Sequence, residues 1–193
     1  MFEYISGEIV DLTPTNAIID CQGIGYNIHI SLYTYQFLKT GTRDKLFVYE
    51  AIREDAHLLY GFKERSERAL FLLLISVSGV GANTARMILS SMSPAELEAT
   101  IGSGNSKLLK TVKGIGAKTA ERIIVDLKDK IKGGDETLLV GIGASSQVET
   151  EAIAALVMLG FVQSAAAKVV RKLLTDSPLL SVEQVIKSAL KLL

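Results

Sequence analysis

Along residues 1 to 62, apolar positions alternate with polar ones or run together briefly in FEYISGEIVDL, NAIIDC, YNIHISL, KLFVYEAI and HLLYGF. Alternation sends successive side chains to opposite faces of a pleated strand, so each segment predicts β structure. Between them lie turn formers: Thr13-Pro14-Thr15-Asn16, Gln22-Gly23 and Thr40-Gly41-Thr42. Five strands in about sixty residues suit a small barrel, and a helical turn over Tyr33 to Leu38 would sit between the third and fourth strands, as in an OB-fold.

After Gly61 the period changes. ERSERALFLLLISV, NTARMILSSM, PAELEATI, NSKLLKTV and KTAERIIVDLKDKI space their apolar residues so that they gather on one helical face. Ser93 followed by Pro94 predicts an N-cap and an N1 proline, so a helix should start there. Gly133 and Gly134 close this block, and GGDETLLVGIGASSQ lacks a helical period and is rich in Gly and Ser, as a flexible linker would be. VETEAIAALVMLG, QSAAAKVVRKLL and SVEQVIKSALKLL then predict a minimal three-helix domain, with turns at Gly160-Phe161 and Asp176-Ser177-Pro178. The expected organisation is α+β and multidomain: a barrel over 1–64, a helical domain over 65–132, a linker over 133–148 and a three-helix domain over 149–193.

One string occurs twice. GVGANTARMIL at 79–89 returns as GIGAKTAERII at 114–124, with six of eleven positions identical at an offset of 35. Each copy opens a helix with a Gly-apolar-Gly turn. The unpaired N–H groups and the dipole of a helix start favour an anion, and glycine lets a phosphate come close. Gly79, Val80, Gly81, Asn83 and Arg86 form the first candidate contact, and Lys113, Gly114, Ile115, Gly116, Lys118, Thr119 and Arg122 the second, richer in cations. A single Gly-x-Gly turn serves equally well to join two packed helices. Two copies in one segment favour the ligand.

The charge distribution agrees. The chain of 193 residues is neutral overall, with 21 basic and 21 acidic side chains. Residues 1–64 hold five Lys/Arg against nine Asp/Glu, whereas residues 65–132 hold eleven against six, so an anionic partner is drawn to the middle segment.

Several chemistries find little support. A phosphate-binding P-loop at the second copy fails at Val112 and Ala117, which stand where glycines are required. The single Cys21 cannot form an internal disulfide and reads as a small buried hydrophobe; with only His29 and His57 beside it no zinc cluster emerges. No nucleophile-base set is apparent, and neither a cofactor nor a metal is expected. No apolar run suggests a membrane span or signal peptide, so a cytoplasmic location is expected.

Paired Gly-hydrophobic-Gly turns resemble the tandem helix-hairpin-helix motifs of proteins that hold DNA without reading its sequence. With AIREDAHLLYGF at 51–62 directly before them, the whole chain resembles the RuvA family of Holliday-junction branch-migration subunits. That resemblance implies an OB-fold barrel, two helix-hairpin-helix motifs, a mobile linker and a C-terminal module like the ubiquitin-associated three-helix fold. It also implies a homotetramer spreading four-way junction DNA on one face, or an octamer when a second tetramer closes over the other. Glu54 and Asp55 match the family's acidic pin, whose carboxylates repel phosphates near the crossover. The last domain, with its Leu159-Gly160-Phe161 turn, would recruit the hexameric ATPase RuvB, and the junction resolvase RuvC is a further partner. The sequence departs from the family pattern at Asn83 and Ala117, where the family often has Lys, so backbone amides, Lys118 and Arg122 are expected to carry more of the binding. Two other classes remain as alternatives: a helix-hairpin-helix repair enzyme such as a glycosylase or nuclease, and a protein-interaction adaptor.

Overall fold

The computed structural model describes residues 2–132, 144–177 and 180–193. Strands β1 (Tyr4–Leu12), β2 (Asn16–Cys21), β3 (Ile24–Ile30), β4 (Arg43–Ile52) and β5 (His57–Phe62) close a barrel in the order β1-β2-β3-β5-β4. Only the β3–β5 pairing is parallel, with Ile28 opposite Leu59. Closure forces β1 to pair with both β2 and β4, and the strand coils sharply. A Cβ on Gly7 would stand 2.0 Å from the carbonyl oxygen of Asp20, so only glycine allows this approach. A bulge between Ile9 and Asp11 completes the bend. Ile5, Ile9, Ala17, Ile19, Ile28, Ile30, Leu46 and Val48 fill the interior, as the alternation predicts.

Between β3 and β4 the expected helical turn is α1 (Leu32–Tyr35), capped by Ser31, whose hydroxyl oxygen accepts the Thr34 N–H. This is the architecture of an OB-fold.

The helices that follow are α2 (Arg65–Ile75), α3 (Ala82–Ser91), α4 (Pro94–Gly102), α5 (Ser106–Leu109) and α6 (Ala117–Lys132). Ser93 and Glu96 form a reciprocal capping box at the start of α4, with Pro94 in its first turn, and the Ser93 N–H holds the Glu96 carboxyl below its ordinary pKa. The barrel does not stand apart from this helical segment. Tyr60 and Phe62 of β5 belong to the helical core, with the Phe62 and Phe71 ring centroids 4.8 Å apart and those of Tyr60 and Phe71 5.4 Å apart. Glu67 of α2 is fully buried and accepts hydrogen bonds from the Ser31 and Thr34 hydroxyls and the Lys63 N–H. Burial pushes its carboxyl above the ordinary range, against the opposing pull of those donors. Residues 1–132 accordingly form one compact unit.

Residues 133–193 form the second. Helices α7 (Ala144–Met158), α8 (Gln163–Asp176) and α9 (Val182–Ala189) enclose a core of Ala152, Leu156, Ala166, Val170, Val185 and Ala189. Part of the segment read as linker is helix: α7 starts at Ala144, ahead of the expected 149, because Ala and Gln propagate a helix begun further on. The rest, residues 133–143 with Leu138-Leu139-Val140, lies outside the described residues, as do Pro178 and Leu179. Among the described residues no helix is long and apolar enough to cross a membrane.

Candidate nucleic-acid interface

The repeated strings fold into the same turn twice. After α2 the Val77 N–H donates to Leu74 O at 3.1 Å and Val80 N–H to Val77 O at 3.0 Å; after α5 the Val112 N–H donates to Leu109 O at 3.2 Å and Ile115 N–H to Val112 O at 3.1 Å. Gly79 and Gly114 each have φ of +91°, a conformation that disfavours any side chain. Val80 and Ile115 are buried and anchor each turn in the core. Each helical ladder then begins with Ala85 N–H to Gly81 O and Ala120 N–H to Gly116 O. The preceding amides of residues 82–84 and 117–119 have no carbonyl within their own helices.

Gly81 and Gly116 are informative for the opposite reason. Neither has positive φ, and a Cβ on either would meet nothing within 4 Å. The fold does not need glycine there. A ligand approaching the exposed amides would.

The two copies differ in how their side chains are engaged. In the second, Lys113 and Lys118 are exposed with no ion pair among the described residues, and exposed Arg122 has only Asp126 at 3.6 Å; Thr119 is half-buried. In the first, Arg86 donates from Nη1 to the Thr15 carbonyl at 3.0 Å, and Asn83 Oδ1 accepts from the Tyr60 phenol at 3.4 Å. Sequence reasoning nominates Arg86 and Asn83 as contacts; in the structure each also bonds to the barrel, Arg86 partly buried and Asn83 exposed.

Glu54 and Asp55 sit exposed at the tip of the β4–β5 hairpin, whose turn is closed by Arg53 N–H to Ala56 O at 2.8 Å. Neither has a counterion within 4 Å among the described residues. Lower on the stem, His57 Nε2 and Glu50 Oε1 lie 2.6 Å apart and tie the two strands together. The tip therefore carries two carboxylates without a counterion among the described residues, beside the first hairpin: Ile52 and Arg53 line one groove with Val80 and Gly81.

In the second unit Gly160 takes φ of +98° and ends α7, with Phe161 N–H bonded to Leu156 O and Gly160 N–H to Val157 O. Phe161 packs on the small core, while Leu159 is exposed. Met158 and Val162, 89% and 70% exposed, join Leu159 in an apolar patch that the sequence did not single out. The available signal was that Met158 falls out of helical phase with the core positions Ala152 and Leu156, and that Val162 follows the Gly160 turn.

Among the described residues no three His, Cys, Asp or Glu side chains gather as a metal site, and Cys21 directs its thiol at the Ser6 carbonyl.

Residues 1–61 match the family model described as the RuvA N terminal domain, 71–129 the SAM-like helix-hairpin-helix tandem and 147–193 the RuvA C-terminal domain. The chain is 57% identical over 196 residues to the Holliday junction branch migration complex subunit RuvA of Parabacteroides distasonis, covering 100% of both. It is 55% identical over 199 residues to the protein of that name from Bacteroides fragilis and 47% over 191 residues to that of Flavobacterium psychrophilum, covering 99% of each chain. Three domain matches in chain order, joined to identity of this extent over whole sequences, mean that the chain belongs to the RuvA family.

Proposed function

We propose that the protein binds four-way Holliday junctions through their phosphate backbone, without reading sequence, and is the platform of a branch-migration complex in recombination and repair. The observation that carries this reading is the duplicated helix start, with its exposed amides beneath Gly81 and Gly116. The second hairpin adds Lys113, Lys118 and Arg122 to the attraction. At the tip of the β4–β5 hairpin Glu54 and Asp55 oppose it, so phosphates are held on the hairpins and repelled from the pin. That pairing of opposite signs favours a branched centre over a continuous duplex.

In this reading the protein performs no catalysis. The hexameric ATPase RuvB supplies the work and docks on residues 149–193, where Leu159, Gly160 and Phe161 form the turn and Met158 and Val162 extend its apolar surface. Four copies assemble on the junction, eight when two tetramers enclose it, and RuvC resolves the product. The site of action is the cytoplasm, where the chromosome lies, in the response to DNA damage.

The test is a gel shift with a four-way junction and a linear duplex of the same composition, over a salt series with and without magnesium. Retarded, uncut junction preferred over duplex is the expected result. Equal affinity for both, or strand cleavage, overturns the reading.

A further inference from the structure

Between the root of the pin and the first hairpin runs an open groove of about 260 Å³, lined by Tyr49, Ala51 and Ile52 of β4, Ile75 of α2, and Val80 and Gly81 of the hairpin turn. Ile52 is 71% exposed, an uncovered aliphatic side chain on the strand that carries the acidic tip. Arg53 stands at the same groove with no ion pair among the described residues. Thus exposed aliphatic carbon, polar backbone, a cation without an ion pair among the described residues and a helix start without a side-chain cap share one small space. We propose that this groove receives a nucleobase released from pairing at the junction crossover, while the backbone phosphate of that nucleotide rests on the amides that follow Gly81.

The chemistry of one nucleotide fits the arrangement. An unstacked base loses its apolar neighbours and gains by burying its face against aliphatic or aromatic side chains, and its attached phosphate requires a donor close by. An apolar peptide would use the aliphatic side chains but would leave the cation and the amides idle. Charge selects the nucleotide, and the groove continues directly into the phosphate-binding turn. The pin determines which nucleotide arrives: Glu54 and Asp55 adjoin Arg53 in sequence and repel the backbone, so a strand turned aside at the tip passes the groove as its base loses its partner. The groove would offset part of the cost of unpairing and would make the protein a holder of the open crossover as well as of its arms.

This inference rests on the reading of the chain as a junction binder, and one experiment separates the two. Full-length protein is bound to four-way junctions carrying 2-aminopurine either at the crossover or well inside an arm, with binding followed in the same sample by anisotropy. Wild-type protein should change the fluorescence of the crossover probe and leave the arm probe unaltered. Ile52→Thr keeps a β-branched residue at an exposed site and should remove most of that change, while weakening junction binding by no more than about a hundredfold, the upper share of one stacked base. Ala51→Leu, which fills the groove, should act in the same direction. A bound junction with a silent crossover probe, or a response unaltered in a folded Ile52→Thr protein, overturns the groove as a base site and leaves the hairpin reading standing. Failure of the wild-type protein to bind the junction overturns both.

Discussion

Arg86 of α3 donates from Nη1 to the backbone carbonyl oxygen of Thr15, 3.0 Å away in the turn between β1 and β2. A guanidinium used in this way is part of the fit between hairpin and barrel. We expect Arg86→Met to lower stability by about 1 kcal/mol, the scale of one hydrogen bond, and to leave the salt dependence of junction binding nearly unchanged. Replacing Lys118 and Arg122 together should instead flatten the slope of log affinity against log salt by about 0.9 for each phosphate that is no longer neutralised. Chemical denaturation and a salt titration of each variant check the contrast. An Arg86 variant with a similarly flattened slope would make that residue a phosphate ligand.

The four hairpin glycines should divide into two classes. Gly79→Ala and Gly114→Ala place a Cβ at φ of +91° and should each cost about 1–2 kcal/mol of stability. Gly81→Ala and Gly116→Ala meet no atom within 4 Å, so stability should hold to within about 0.5 kcal/mol while junction affinity falls. Thermal unfolding paired with anisotropy on each variant reads both quantities. Unimpaired binding by a Gly81→Ala, Gly116→Ala double variant would remove the amides from the interface.

Glu67 predicts a pH dependence of unusual sign for a carboxylate. Its pKa is raised in the fold, so in the window between the ordinary value of about 4.3 and the raised one the native state binds the proton that the unfolded chain releases. Stability from this group is therefore gained as pH falls through the window and lost as pH rises. Glu67→Gln should lack that component while keeping a side chain that can pair with Ser31 and Thr34. Denaturant midpoints of the two proteins across the acid range should diverge with pH; a constant difference would show that the carboxyl ionises no differently in the fold.

Neutralising the pin as Glu54→Gln, Asp55→Asn removes repulsion without removing bulk. Affinity for linear duplex should rise or hold, and preference for the four-way junction should fall, because duplex can then lie across the centre that the carboxylates kept clear. Competition between the two DNA forms measures this. Wild-type preference over a range of salt would reduce the two acids to a solvated turn.

Much of the fold was legible because its signals are local. Alternation marked the strands, the helical period marked the helices, and Ser93-Pro94 announced its cap. The repeat of GVGANTAR in GIGAKTAE announced both hairpins. What was not legible depended on partners distant in sequence. The packing of Tyr60 and Phe62 against Phe71, which gives barrel and helices a common core, could not be read from the strand pattern of HLLYGF. The hydrogen bonds of Arg86 to Thr15 and of Tyr60 to Asn83 were not legible because nothing nearby in sequence predicts those partners. The start of α7 was missed because Ser and Gln near Ala144 carry no apolar period, although they tolerate a helix begun further on.

The shared core of Tyr60, Phe62 and Phe71 also has a mechanical meaning. The pin stem continues through β5 into α2 across a packed aromatic cluster, and Glu67 fastens the same helix to the turn before β4. If DNA is seated on the first hairpin as proposed, tension on it would be carried to the tip of the β4–β5 hairpin through this shared core rather than through a linker.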